Sequence, residues 1–383
     1  MMGLSILGAT GTIGDNTIEI VERFPDKFNI VSLSAGRNIE KLIPLIEKFQ
    51  PTFVCVQREL DVEKIEKRFP GLSVGWGEEG LSDCVRATGV QTVVMGIVGF
   101  AAMSPTLEAV KQGHRVALAN KESLVVGGTL LREMIDRSQA EVIPVDSEHN
   151  ALYQLMEGRR PEEVQTLILT ASGGPLLKRP ELPLNEVTPE IAVAHPNWKM
   201  GPKISVDSAT MMNKGLELIE AHYLFSVPEE RLGVWVHPQS VVHGALCLKD
   251  NSYLAQLSRP DMKASIGHAL SYPDRLPEVV KPLDFKVMAS LEFFEPDLLR
   301  FPCLALAQEA LRSGGSFPIV LNAANEIAVE AFLAGQIKFP EIAKLVEKSL
   351  ERHRDVPISA LSDVFALDEQ ARGNATQLLK DHF

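Results

Sequence analysis

The sequence is short of the features that build a stapled, membrane-bound or nucleic-acid-binding protein. Its 383 residues hold four cysteines, Cys55, Cys84, Cys247 and Cys303, widely spaced and without a C-x-x-C pair. That argues against a disulfide framework or a structural zinc site and for reduced, buried thiols. No apolar run approaches the roughly 20 residues that a membrane span needs. Lys and Arg total 38 against 50 Asp and Glu, a net charge of −12, so no global basic field draws nucleic acid. The amino terminus has neither a basic n-region nor an Arg/Ser-rich presequence, and a cytoplasmic protein is the expectation.

What is present is ordinary globular composition, 45% apolar and 23% charged, on a chain too long for one ordinary core. The stretch LSILGATGTIGDNTIEIVERF opens with a short apolar strand, turns through Gly8, Gly11 and Gly14, and continues as an amphipathic helix; FNIVSLSA follows as a second strand. This is a βαβ unit with a glycine turn whose backbone can approach a pyrophosphate at a helix amino terminus. The alternative is a glycine-rich turn in some other α/β protein. After the second strand comes Ser34-Ala35-Gly36-Arg37-Asn38, with no carboxylate. A hydroxyl and a guanidinium there suit a 2′-phosphate, favouring NADP(H), unless Arg37 is simply a solvated surface residue. Further strands are expected in TFVCV, LSVGW, QTVVMGI, RVALA and EVIPV, giving a mostly parallel, doubly wound sheet. Asn120-Lys121-Glu122 and Asp146-Ser147-Glu148 follow two of these strands, where ligands gather in such sheets.

The triplet Val-Asp-Ser occurs twice, in VDSEHNA and in ISVDSATMMNKGLELIEA. Read as extended chain, the first copy turns Asp146 and Glu148 to one side, where two carboxylates invite a cation. Read as a helix, the second places Asn213, Lys214 and Glu217 on one face, with Asp207 as a cap. Asp146, Glu148 and Glu217 together would suit Mg²⁺ or Mn²⁺, with Ser208, Asn213 and Lys214 holding an anionic substrate. From spacing alone this weighs equally with a solvated strand end and an ordinary helix salt bridge. TASGGP, around Ser172, reads either as an anion nest or as a flexible turn. AHPNWKMGPK, residues 194–203, reads either as a lid or as a connector with Trp198 in a core. His237 and His243, six apart on extended chain, read as a zinc pair or, in preference, as satisfied strand histidines or residues supporting the ligands of a site.

The motifs GATGTIG, ALANKESLVVGG, VDSEHNA, TASGGP, HPNWKMG, ISVDSATMMNKGLE, HPQSVVHG and NAANE, in this order over nearly the whole chain, resemble the 1-deoxy-D-xylulose 5-phosphate reductoisomerase family. The resemblance implies NADPH-dependent rearrangement and reduction of that substrate to 2-C-methyl-D-erythritol 4-phosphate, in the non-mevalonate isoprenoid route. It implies NADPH contacts from Thr10, Gly11, Thr12, Ile13, Gly36, Arg37, Asn38, Asn120, Glu122 and Gly201. Asp146, Glu148 and Glu217 would bind the divalent metal and, with Lys121, carry the catalysis. Lys121, Ser147, Glu148, Ser172, His195, Ser208, Asn213, Lys214 and Glu217 would contact the substrate. Thr12 stands where many relatives have Ser, and Arg37 where some have Lys. A homodimer is the family expectation, with no nucleic acid or membrane partner.

The expected architecture is a Rossmann-like NADPH domain over 1–145 and an α+β catalytic domain over 146–272 with a flexible lid at 194–203. A linker over 273–302 leads to a carboxyl-terminal helical bundle over 303–383, where apolar residues recur at three and four. A metal-independent NADP dehydrogenase of the aspartate-semialdehyde or dihydrodipicolinate reductase kind shares the opening motif but has no use for the three carboxylates. A redox-sensing module would bind NADP without turnover.

Overall fold

The alternation of short apolar runs with amphipathic stretches in the first third folds as a parallel sheet. Its strands are β1 (Met2–Leu7), β2 (Phe28–Ala35), β3 (Phe53–Val56), β4 (Ser73–Trp76), β5 (Thr92–Met95), β6 (Arg115–Leu118) and β7 (Glu141–Pro144). They lie in the order β4-β3-β2-β1-β5-β6-β7 with every pair parallel. Helices cover both faces of such a sheet, which is why the central strands are near-continuous apolar runs: β5 is buried throughout and β1 from its second residue on. The computed structural model describes every residue except Lys199, Val287, Ala289 and Phe383. It divides into a first unit of Met1–Ser123, Leu131–Tyr153 and Asp261–Pro282, and a second of Leu124–Leu130, Gln154–Pro260 and Leu283–Phe383.

In the first unit the strand order reverses between β1 and β5, and the binding crevice of a doubly wound sheet opens at that point. Gly8 ends β1 there with φ +84°, and a Cβ on it would stand 2.7 Å from the Gly96 carbonyl oxygen, so only glycine fits. Gly14 lets the following helix, Thr12–Arg23, settle on the turn: a Cβ would lie 2.4 Å from the Ala9 carbonyl oxygen. The helix buries Ile18, Ile20 and Val21. A later segment completes this core. The helix Lys263–Ser271 contributes Ile266, Ala269 and Leu270 to the cluster that holds Leu4, Ile6 and Ile18, and Lys263 Nζ lies 2.8 Å from Glu19.

The second unit is built on a mixed sheet of β8 (Val164–Ala171), β9 (Leu232–Val236), β10 (Val242–Leu248) and β11 (Tyr253–Leu257), in the order β11-β10-β8-β9. Only the β8–β9 pair is parallel. Phe294 exchanges backbone hydrogen bonds of 2.8 and 2.9 Å with Val236, so part of the 283–302 run is bound along β9. The carboxyl-terminal helices Cys303–Ser313, Phe317–Leu333, Phe339–Arg352 and Leu361–His382 form the expected bundle. It packs on the helix Met212–Phe225 through Gly215, where a Cβ would fall 2.4 Å from Ala307 Cβ. Cys303 is buried in that contact, and burial pushes its thiol up to about 12, so it is a packing residue and not a nucleophile. No helix among the described residues is long and apolar enough to cross a membrane.

Candidate active site

In the first unit the glycine turn is pinned from the neighbouring strand. Ser34 Oγ accepts from the Gly8 N–H at 2.9 Å, and the Ala9 N–H donates to the Ser34 carbonyl at 2.8 Å. Ser34 is buried. The reading of its hydroxyl as a 2′-phosphate donor is therefore corrected: it shapes the turn. Gly11 caps the helix Thr12–Arg23 with no side-chain bond, leaving the first N–H groups of the helix open to an anion. Gly36, Arg37 and Asn38 follow β2 and are exposed. The Arg37 side chain makes no hydrogen bond or ion pair among the described residues, whereas Asn38 Oδ1 accepts from the Lys41 N–H at 3.1 Å and caps the helix Ile39–Phe49.

β6 and β7 are register neighbours, Leu118 opposite Pro144, so the chains leaving them run side by side. Lys121 Nζ donates to Asp146 Oδ2 at 2.5 Å, with Lys121 buried. Burial alone would raise the Asp146 pKa. The Lys121 ammonium, with help from His149 and Glu148, outweighs it and holds the carboxyl well below its ordinary range. Asn120 is buried, and its amide is shared among the carbonyls of Ile97 and Gly99 and the Glu122 carboxylate at 2.9–3.0 Å.

The extended reading of Asp146–Glu148 is also corrected. Ser147 begins the helix Ser147–Met156, and the Asn150 N–H donates to the Asp146 carbonyl at 2.9 Å. Ser147 Oγ donates to Glu148 Oε2 at 2.5 Å. The helical turn brings in His149, fully buried with Nδ1 3.8 Å from Asp146 Oδ1. Sequence reasoning passed over His149. Its signal was the i, i+3 spacing from Asp146, which the extended reading concealed.

In the second unit the second triplet behaves as read, with one difference. Glu217 accepts from both Asn213 Nδ2 and Lys214 Nζ on one face of the helix Met212–Phe225, and Lys214 and Glu217 are both buried. Asp207, however, is no cap. It lies inside the helix Pro202–Thr210, buried, 2.9 Å from Lys203 Nζ and accepting from Asn325 Nδ2 at 2.8 Å. Gly201 is the residue that caps that helix. Met211, at φ +64°, separates it from the next one.

Gly173 and Gly174 adopt successive positive φ, +79° and +67°, after β8. A Cβ on Gly174 would stand 2.8 Å from the Ser208 carbonyl oxygen, so the TASGGP turn closes directly on the Ser208 helix. His195 Nδ1 accepts from the N–H groups of Asn197 and Trp198, at 3.2 and 3.0 Å. The neutral ring therefore carries its proton on Nε2, which donates to Ser172 Oγ at 2.7 Å. Burial lowers the His195 pKa to about 4. Ser172 Oγ also accepts from the Gly174 N–H at 3.1 Å. With both acceptor sites filled, its own proton is free to donate to an anion.

His237 and His243 are not a pair on one strand. His237 follows β9, stacks on Phe293 with ring centroids 4.8 Å apart, and faces the Glu292 carbonyl; His243 lies in β10, 6.3 Å from the Trp198 ring. Within the lid expectation, Lys199 lies outside the described residues.

A doubly wound parallel sheet opened by a glycine turn, in one chain with a mixed sheet and a helical bundle, is the architecture of a dinucleotide-dependent enzyme. Residues 4–128 match the family description 1-deoxy-D-xylulose 5-phosphate reductoisomerase, and 142–225 and 257–374 match two descriptions of its carboxyl-terminal domains. The reductoisomerase of Ralstonia nicotianae is 48% identical over 382 residues, 98% of this chain and 97% of that protein; that of Trichlorobacter lovleyi is 47% identical over 99% and 97%. A crystal structure of DOX-P reductoisomerase in complex with NADPH, fosmidomycin and magnesium superposes with TM-score 0.93 at 40% identity, covering both chains completely. The Zymomonas mobilis enzyme in complex with NADPH gives 0.92, also at 40% identity, over 99% of each chain. The chain belongs to the 1-deoxy-D-xylulose 5-phosphate reductoisomerase family.

Proposed function

We infer that the protein converts 1-deoxy-D-xylulose 5-phosphate to 2-C-methyl-D-erythritol 4-phosphate, consuming NADPH and requiring a divalent cation, in the supply of isoprenoid precursors. The observation that carries this is the full-length relationship to reductoisomerases at 45–48% identity. The local chemistry of each unit is consistent with it. The glycine cradle and the uncapped helix amino terminus fit a pyrophosphate, and an exposed, unpaired Arg37 fits a 2′-phosphate. Asp146 and Glu148 on one helical turn, all oxygen donors, fit Mg²⁺ or Mn²⁺.

Bound NADPH supplies the hydride, and the cation supplies positive charge against a developing oxyanion. The rest falls to the chain. We propose that Asp146, Glu148 and Glu217 together ligate the cation. Lys121 keeps Asp146 ionised and aimed, Ser147 orients Glu148, and Asn213 with Lys214 holds Glu217. Ser172, oriented by His195, joins Ser208, Asn213 and Lys214 on the substrate phosphate. Thr10–Ile13, Gly36–Asn38, Asn120, Glu122 and Gly201 contact NADPH. Because the Asn120 side chain is taken up internally, its contact comes from the backbone.

We also propose a homodimer, supported by the apolar side chains of Tyr253, Phe293 and Phe294 left exposed on the second unit, and a cytoplasmic location, supported by four free, buried thiols. The test is NADPH oxidation on adding 1-deoxy-D-xylulose 5-phosphate, with and without Mg²⁺, the product being identified by mass and NMR. Oxidation with both present yields 2-C-methyl-D-erythritol 4-phosphate. No oxidation with both present, or oxidation of equal rate under chelation, rejects the reading.

A further inference from the structure

The helix that opens the glycine turn carries a charge of the wrong sign for its task. Asp15 lies in the first turn of Thr12–Arg23, where the N–H groups are to meet a pyrophosphate. An acid there is favourable to the bare helix but repels a bound dianion and competes with it for the same positive end. Lys41, from the helix Ile39–Phe49, answers that charge. Its Nζ lies 2.6 Å from Asp15 Oδ2 and 3.0 Å from the Thr10 carbonyl oxygen, inside the turn itself. Its backbone N–H is held by Asn38 Oδ1 at 3.1 Å. One residue thereby joins the pyrophosphate turn, residues 10–13, to the ribose-phosphate segment, residues 36–38. The side chains of Lys41 and Asp15 are 40% and 46% exposed, and a pair so exposed contributes little to folding. Its effect is concentrated on whatever binds beside it.

We propose that Lys41 is a positioning residue for the dinucleotide: it cancels the Asp15 charge at the helix amino terminus and ties the Thr10 carbonyl, so that the turn is preset for the pyrophosphate of NADPH. The proposal rests on the NADPH reading above. It differs from a direct 2′-phosphate contact because the pyrophosphate is common to both nicotinamide dinucleotides.

The experiment is a fluorescence titration of NADPH and of NADH against the full-length protein and its Lys41→Ala, Asp15→Asn and double variants, at low and high salt, beside a thermal melt of each. Lys41→Ala weakens both nucleotides by a common factor of about ten. Asp15→Asn binds as tightly as wild type or tighter. The double variant recovers most of the loss, and salt shrinks the Lys41→Ala deficit, since screening replaces the missing ammonium. Melting temperatures stay together. A loss confined to NADPH makes Lys41 a 2′-phosphate ligand and overturns the proposal. So does an unaffected Lys41→Ala, or a double variant no better than the single one. Wild type that binds neither nucleotide overturns the NADPH reading and this proposal with it.

Discussion

Each unit buries a lysine against a carboxylate, but the two pairs sit in opposite company. In the first unit, Lys121 faces Asp146 with Glu148 close by, two acids to one ammonium. In the second, Glu217 is held by Lys214 and Asn213 on the same helix face, and the unit also offers Ser172, whose proton is free, and Ser208. The first cluster gathers acids of the kind that would hold the proposed cation. The second gathers donors of the kind that would hold the proposed anion. Glu217 is the acid in the donor-rich company, and so the residue whose loss separates the two roles most sharply.

The largest effect is expected from Glu217→Gln. It removes a carboxylate from the proposed cation site and takes the Glu217 charge from the buried Lys214 ammonium, a change on the order of 3–5 kcal/mol for breaking a buried pair. Turnover falls by two orders of magnitude or more, and NADPH affinity stays near wild type, because the glycine turn and Arg37 belong to the first unit. Turnover and nucleotide titration on the same preparation check this; normal turnover breaks the comparison. Next comes Ser172→Ala, which withdraws one donor from the anion site and leaves His195 Nε2 without its acceptor. KM for the phosphorylated substrate rises about 10- to 100-fold, the equivalent of roughly 1.5–3 kcal/mol for a bond to a charged group, with kcat changed much less. A fall in kcat at constant KM would move Ser172 out of the anion site.

Arg37→Ala sharpens the first unit's part. NADPH weakens by about tenfold or more while NADH is unchanged, read by titration of both; equal losses make Arg37 a bystander. The smallest effect concerns pH. Burial lowers His243 to about 4, with Lys214 and His237 opposing its charge. The unfolded chain takes up the proton near pH 6.5 and the folded one only near pH 4, so stability falls as pH drops through that interval. His243→Gln flattens the dependence of melting temperature on pH between about 6.5 and 4; an unchanged slope shows that other groups set it.

The comparison also explains what was legible beforehand. In the first unit, strand and helix periods alternate with glycine turns at the switch point, and every strand from β1 to β7 was readable: inner parallel strands buried on both faces leave near-continuous apolar runs, and only the edge strand β4 is exposed or half-buried throughout. What escaped there was contributed from afar: the helix Lys263–Ser271 completes that core more than a hundred residues after β7, and no local pattern announces such a return. Ser34 was misjudged because a hydroxyl at a strand end looks the same whether it faces a ligand or pins a turn. In the second unit the Asn213–Lys214–Glu217 face was legible from helical spacing. The burial of Asp207 was not, being set by a partner, Asn325, 118 residues away; nor was His149 in the first unit, hidden by one wrong choice of period after β7.

The central proposal is that Asp146, Glu148 and Glu217 serve one divalent cation. The most direct test is a Mn²⁺ titration by electron paramagnetic resonance of the NADPH-loaded protein, wild type beside Asp146→Asn and Glu217→Gln. One tight Mn²⁺ per chain in the wild type, lost or weakened by at least tenfold in both variants, is the predicted result. Undiminished Mn²⁺ affinity in Glu217→Gln would contradict the claim and return Glu217 to the role of a salt bridge within its own helix.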